Sequence, residues 1–106
     1  MRFACACGSM IYDGTDDLPH KARVIPDQRW NSLFDAIDDL IEHHCATSAA
    51  RAAACTKIRT LVNDATRSAW QCASCGRLHL DDASRRLRSF APETPDTPRN
   101  LFRSRG

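Results

Sequence analysis

The sequence predicts an α+β fold: a small antiparallel sheet drawn from both ends of the chain, with a helical hairpin inserted between its halves. Three observations carry this. Short β-prone runs bounded by turn signals occupy roughly residues 2–25 and 69–90. Helical periodicity fills most of the section between them. Each β-prone section also contains two closely spaced cysteines followed by glycine, Cys5-Ala6-Cys7-Gly8 and Cys72-Ala73-Ser74-Cys75-Gly76. A chain of 106 residues is enough for one domain and too short for two independent cores.

The elements follow in order. Phe3 to Gly8 and Met10-Ile11-Tyr12 read as a strand entering and leaving a tight turn. Asp13-Gly14 is a strong turn signal, and the loop continues to Pro19. His20 to Ile25 is a short extended segment that Pro26 stops. A helix is expected to begin near Asp27 as N-cap, with Trp30, Leu33, Phe34, Ile37, Leu40 and Ile41 forming one apolar stripe. Asp35, Asp38, Asp39 and Glu42 cover much of its remaining surface as a solvated or partner-binding face.

A second helix is expected over roughly residues 47–69, with Ile58, Leu61, Val62, Ala65 and Ala69 on one side. Its alanine-rich start, Ala49 to Ala54, has high helix propensity and permits close packing. Strand character returns at Ala69-Trp70-Gln71-Cys72, then at Arg77-Leu78-His79-Leu80, and Leu87 to Phe90 completes a hairpin. In Leu78-His79-Leu80 the alternation turns His79 towards solvent. Pro92, Pro95 and Pro98 mark an extended or disordered tail. The predicted organisation is a domain over residues 1–91, with its helical insertion at about 27–69, and a flexible tail over 92–106.

Composition narrows the chemistry. Hydrophobic residues make up 42% and charged residues 26%, as in globular proteins, while only 7% are aromatic, so the core is small and gains from a staple. There is no secretory-type apolar run and no membrane-length stretch, which points to a soluble, cytoplasmic protein with reduced thiols. In that setting paired cysteines favour metal over disulfides.

Zinc needs four ligands in a tetrahedron, and a short turn places two thiolates on one side of the ion. Glycine after the second cysteine allows positive φ, so backbone amides can turn towards the sulfurs. Cys5, Cys7, Cys72 and Cys75 are therefore the expected ligands of one structural Zn2+. A rubredoxin-like iron site and a Cys72–Cys75 redox pair remain open alternatives. The redox motif would open a helix, whereas Gly76-Arg-Leu-His-Leu80 reads as a strand. Sixty-four residues separate Cys7 from Cys72. Closing such a loop costs about 3–4 kcal/mol, against on the order of 10 kcal/mol from structural zinc. Four thiolates leave no position for a reactive water, which argues against zinc catalysis.

Other candidates carry less. Cys45 and Cys55 are expected to be buried small apolar residues, with a disulfide across the hairpin or a share in a metal site left open. His43-His44-Cys45 reads as a solvated helix end rather than a second metal site. No pattern supplies a catalytic partner for His79. Charge is uneven: residues 1–50 carry four Lys/Arg against eight Asp/Glu, and residues 85–106 six Arg against two acids. Arg85, Arg86, Arg88, Arg99, Arg103 and Arg105 form a solubilising tail or a phosphate-contacting one.

The two knuckles resemble the zinc-ribbon class, in which hairpin turns grip a metal beside a three-stranded sheet. Phe3-Ala-Cys-Ala-Cys-Gly8, Leu18-Pro-His-Lys-Ala22, Ile25-Pro-Asp-Gln28 and Trp70-Gln-Cys-Ala-Ser-Cys-Gly-Arg77 together are similar to a group of small uncharacterised bacterial proteins. The resemblance covers about residues 2–92 and implies an immunity-type or accessory binding protein. The expected function is a non-enzymatic, zinc-stabilised module that binds another protein. The alternatives are a nucleic-acid-binding ribbon using Arg85, Arg86, Arg88 and the tail, and a redox protein.

Overall fold

A computed structural model describes residues 1–104, so Arg105 lies outside the described residues. The fold is α+β. Among the described residues, the elements follow in the order β1 (Arg2–Ala4), β2 (Met10–Tyr12), β3 (Lys21–Val24), α1 (Asp27–His43), α2 (Ser48–Ala65), β4 (Arg67–Gln71), β5 (Leu78–Asp81) and β6 (Leu87–Phe90). β1 and β2 form a two-stranded antiparallel sheet, and the other four strands form a sheet in the order β3-β4-β5-β6. The zinc-ribbon resemblance implied three strands; the extended segment before Pro26 supplies the fourth, β3.

The chain divides into two compact units: Met1–Arg23 together with the chain from Arg67 onward, and Val24–Thr66. In the first, strand pairing sets the register Phe3↔Ile11 in one sheet and Trp70↔His79↔Ser89 in the other. Its core is small: Cys5, Ile11, Trp70 and Cys72 are buried together, with Phe3 and Cys75 packed against them. Phe3 meets the rings of both Trp70 and His79 edge-on, with centroids 5.4 and 5.2 Å away.

That arrangement overturns the expectation for His79. It is 2% exposed, its Nδ1 lies 2.7 Å from Ser89 Oγ, and its buried Nε2 has no hydrogen-bond partner among the described residues. Leu78 and Leu80 on the opposite face are only half-buried. The face carrying Trp70 and Phe3 is the apolar one, and cross-strand pairing with Trp70 draws His79 into it. Burial, reinforced by the nearby Arg77 charge, holds the imidazole below its ordinary pKa.

The second unit is the helical hairpin, α1 packed against α2. Pro26 is the N-cap residue of α1 and offers no side-chain cap, so Asp27 is the first helical residue rather than the cap. Thr47 caps α2 through a 3.0 Å bond from the Ala50 amide. Helix α2 ends at Ala65, four residues earlier than expected, because Thr66 is extended and Ala69 pairs with Leu80 in the sheet. Burial in the hairpin centres on Leu33 and Ala54, with Ala65 buried at the end of α2. Of the predicted stripe on α1, Leu33 is buried and Ile37 and Leu40 half-buried, whereas Trp30, Phe34 and Ile41 are exposed. Cys55 is exposed and Cys45 half-buried, against the expectation that both pack as small apolar residues. Both are free thiols, and Cys45 donates to the Leu40 carbonyl. No helix among the described residues is long and apolar enough to cross a membrane.

Candidate metal centre

The site is built by two turns that use one hydrogen-bond pattern. In the first, the Cys5 amide donates to the Ser9 carbonyl at 2.8 Å and the Gly8 amide to the Cys5 carbonyl at 2.9 Å. In the second, the Cys72 amide donates to the Arg77 carbonyl at 2.9 Å and the Gly76 amide to the Cys72 carbonyl at 2.8 Å. The Cys-x-Cys turn is thus a one-residue-shorter version of the Cys-x-x-Cys turn. Gly8 and Gly76 sit at φ +96° and +82°, the left-handed region that a Cβ penalises. Both glycines do what the sequence expected of them.

The turns bring Cys5, Cys7, Cys72 and Cys75 together, with all four sulfurs within 4.8 Å of one another. Cys5 Sγ lies 3.5 Å from Cys75 Sγ, and Cys7 Sγ 3.7 Å from Cys72 Sγ. A tetrahedron with metal–sulfur bonds of roughly 2.3 Å has edges of roughly 3.8 Å, whereas a disulfide requires about 2.05 Å. The spacing fits one ion and fits no disulfide. Cysteines from opposite ends of the chain alternate in these close pairs, so an ion there would close the 64-residue loop between Cys7 and Cys72.

Electrostatics also suit thiolate ligands. The backbone amide of Arg77 holds Cys75 down to about 6, helped by a 3.4 Å contact from the Arg77 guanidinium. The Ser9 amide and hydroxyl lower Cys7. Burial pushes Cys5 up to about 11, against the pull of the Cys7 amide. N–H groups aimed at sulfur stabilise negative charge, and a bound cation would oppose the upward push of burial on Cys5. Cys5 and Cys72 are buried, Cys75 is half-buried and Cys7 is exposed. Among the described residues no second group of three or more metal-ligating side chains converges. His43 and His44 instead lie 3.8 and 3.7 Å from Glu42 and Asp39.

Around the cysteines stand residues that sequence reading missed. Ser9 Oγ donates to Ser74 Oγ at 2.8 Å, tying one turn to the other. Trp70 Nε1 donates to Asp13 Oδ2 at 3.0 Å, and Lys21 Nζ reaches the same oxygen at 2.6 Å while lying 5.7 Å from the Trp70 ring centre. The hydrogen bond from Lys21, joined by that from Trp70, holds the Asp13 carboxyl below its ordinary range. The turn signal at Asp13-Gly14 was legible; its second task as anchor of Trp70 was not, because the partner lies 57 residues away.

Among the described residues the predicted arginines have separate settings. Arg88 pairs with Asp82 at 2.9 Å, and Arg99 donates to the Ser74 carbonyl. Arg85, Arg86 and Arg103 are exposed, with Arg85 at φ +62° in the turn between β5 and β6.

Comparison with known proteins adds one finding: residues 1–97 match the family model of a domain of unknown function, DUF8617. No curated protein and no solved structure matches the chain.

Proposed function

The chain belongs to the DUF8617 family, and we propose that it acts as a non-enzymatic protein-binding module stapled by one structural zinc ion. The single observation behind this reading is the four-sulfur cluster, whose spacing fits a tetrahedron filled entirely by protein ligands. Thiolate-only tetrahedra suit zinc, and a filled coordination shell leaves no place for an activated water. The ion's role would be to join Cys5 and Cys7 to Cys72 and Cys75, so that a small core suffices. Reduced cysteines fit a cytoplasmic setting. The role implied by the resemblance to small uncharacterised bacterial proteins is that of a bacterial immunity or adaptor protein.

Metal-loaded protein immobilised on beads and challenged with nuclease-treated extract tests the binding role. Stoichiometric retention of one protein, lost when chelator is added, supports it. Retention of nucleic acid alone from untreated extract would overturn it in favour of a nucleic-acid-binding ribbon. That second reading draws on exposed Arg85 and Arg86 at the β5–β6 turn, and would show a salt-dependent affinity for duplexes that Arg85→Ala/Arg86→Ala weakens. An iron–thiolate site would announce itself by visible absorption, which zinc lacks.

A further inference from the structure

Gln71 ends β4 and is 1% exposed, yet it is fully polar. Its carboxamide is used from both ends. Nε2 donates to the Pro98 carbonyl at 2.9 Å and to the Gly76 carbonyl at 3.3 Å, while Oε1 accepts the Leu101 amide at 2.9 Å. The two tail groups are a carbonyl at one residue and an amide three residues on, the pair that closes a β-turn on itself. Gln71 stands between them, so it reads a bend in a passing chain rather than a particular side chain. Arg99, second in that bend, donates from Nη1 to the Ser74 carbonyl. Close approach is possible because residue 76 is glycine: a Cβ there would lie 3.3 Å from Pro92 Cγ and 3.5 Å from Arg99 Cγ.

The occupant of this groove is held lightly. Pro98, Arg99, Asn100 and Leu101 are all exposed, and they are bound through main-chain groups and one arginine. A segment that buries so little apolar surface opens at low cost. Beside Gln71 and Ser74 lies a cavity of about 130 Å3, lined also by Met10, Ile11, Tyr12 and Ala73 and by no tail residue. Gln71, Ser74 and the cavity fall inside the family-matched span, whereas Pro98 to Leu101 fall beyond it.

We infer that the groove over Gln71 and the second cysteine turn is a peptide-binding site for a proline-led basic bend of the form Pro-Arg-x-x, which the chain's own residues 98–101 fill in cis. The inference rests on the protein-binding reading only in taking the ligand to be a polypeptide. A partner segment with the same bend, and an apolar side chain for the neighbouring cavity, displaces the tail. The tail thereby sets a threshold that partner concentration must exceed.

The test uses the full metal-loaded chain, its Leu101→Pro variant, which lacks the N–H that Gln71 Oε1 accepts, and a labelled synthetic peptide of residues 96–104. A tethered tail competes at an effective concentration on the order of millimolar. Wild type should therefore bind the peptide weakly, and Leu101→Pro about tenfold or more tightly, as the competent fraction rises. The Gln71 side-chain amide resonances should shift on binding, and adding Gln71→Leu to the variant should abolish it. Arg99→Ala in the chain, which loosens the plug without touching the core, should raise affinity in the same direction. Protection of the four clustered thiols reports that each variant is folded. A monomeric complex identifies a separate partner segment as the source of the bend. A tail-exchanged wild-type dimer, lost in Leu101→Pro, would make a second copy the occupant and overturn the assignment to a separate partner. Equal affinities for wild type and both plug variants, or binding indifferent to Gln71→Leu, would overturn it. Neither failure touches capture of a partner elsewhere on the module, so the two readings fail separately.

Discussion

The β1–β2 arm and the β4–β5 arm each present two cysteines through the same backbone hydrogen bonds, yet they differ in what surrounds those bonds. Around the first turn, Cys5 and Ile11 are buried while Cys7, Gly8 and Met10 face solvent. Around the second, Ala69, Trp70, Gln71, Cys72, Gly76 and His79 are all buried. Turn geometry alone is enough to aim the sulfurs, because the shorter and more exposed turn does it as well. Burial decides how firmly each pair is held. A bound ion therefore has a protected flank at Cys72 and an open one at Cys7.

Substituting the cysteines one by one should separate the flanks most strongly. Cys72→Ser is expected to abolish metal binding and, with it, a contribution on the order of 10 kcal/mol that the folded arm depends on. Cys7→Ser leaves the fourth position open to water and should keep a weakened metal. Competition with a chromophoric chelator, followed by urea unfolding of each variant, checks the order; equal effects would erase the distinction between the arms.

Core truncations come next in size. Trp70→Ala removes the ring that meets Phe3 and the indole that Asp13 holds, and is expected to cost about 3–5 kcal/mol. Ile11→Val in the other arm should cost about 1 kcal/mol. Both are read from urea midpoints at saturating metal.

The glycines give a finer comparison. Gly8→Ala meets only the left-handed backbone penalty of about 1–2 kcal/mol, since nothing lies within 4 Å of the added methyl. Gly76→Ala adds the 3.3 Å approach to Pro92 and should destabilise more, with the excess vanishing when Pro92 is also replaced by alanine.

The smallest effect is a pH dependence belonging to the buried arm. Because the folded His79 pKa is depressed, the unfolded chain binds the proton more readily. Stability is therefore full above the unfolded value of about 6.5 and is lost as pH falls from there through the folded value. One proton limits the slope to about 1.4 kcal/mol per pH unit. Wild type and His79→Gln, compared at matched pH and saturating metal, isolate it: the variant should lack this part of the slope.

How much could be read in advance follows from where partners lie in the chain. Cysteine pairs with one or two intervening residues, each marked by a glycine that needs positive φ, were legible as Cys5/Cys7 and Cys72/Cys75. The hairpin was legible from periodicity, but its end was not: Ala69 continues a helical stripe in sequence, and only pairing with Leu80 reveals it as strand. Leu78-His79-Leu80 misled because two leucines outweigh one histidine in any local pattern, while the face is chosen by Phe3 and Trp70. On α1, a stripe wide enough to bury six apolar side chains meets a narrow alanine-rich partner, so Trp30, Phe34 and Ile41 stay outside. Nor did local pattern show that Gln71, one residue before a cysteine, receives a bend from 27 to 30 residues downstream.

The metal assignment itself is tested most directly by native mass spectrometry of protein purified without chelator, combined with mapping of alkylated thiols. A stapled chain is expected to carry one zinc ion, with Cys5, Cys7, Cys72 and Cys75 protected and exposed Cys55 modified; chelator should release the ion and all four protections together. A folded, metal-free chain in which these four thiols react as readily as Cys55 would contradict it.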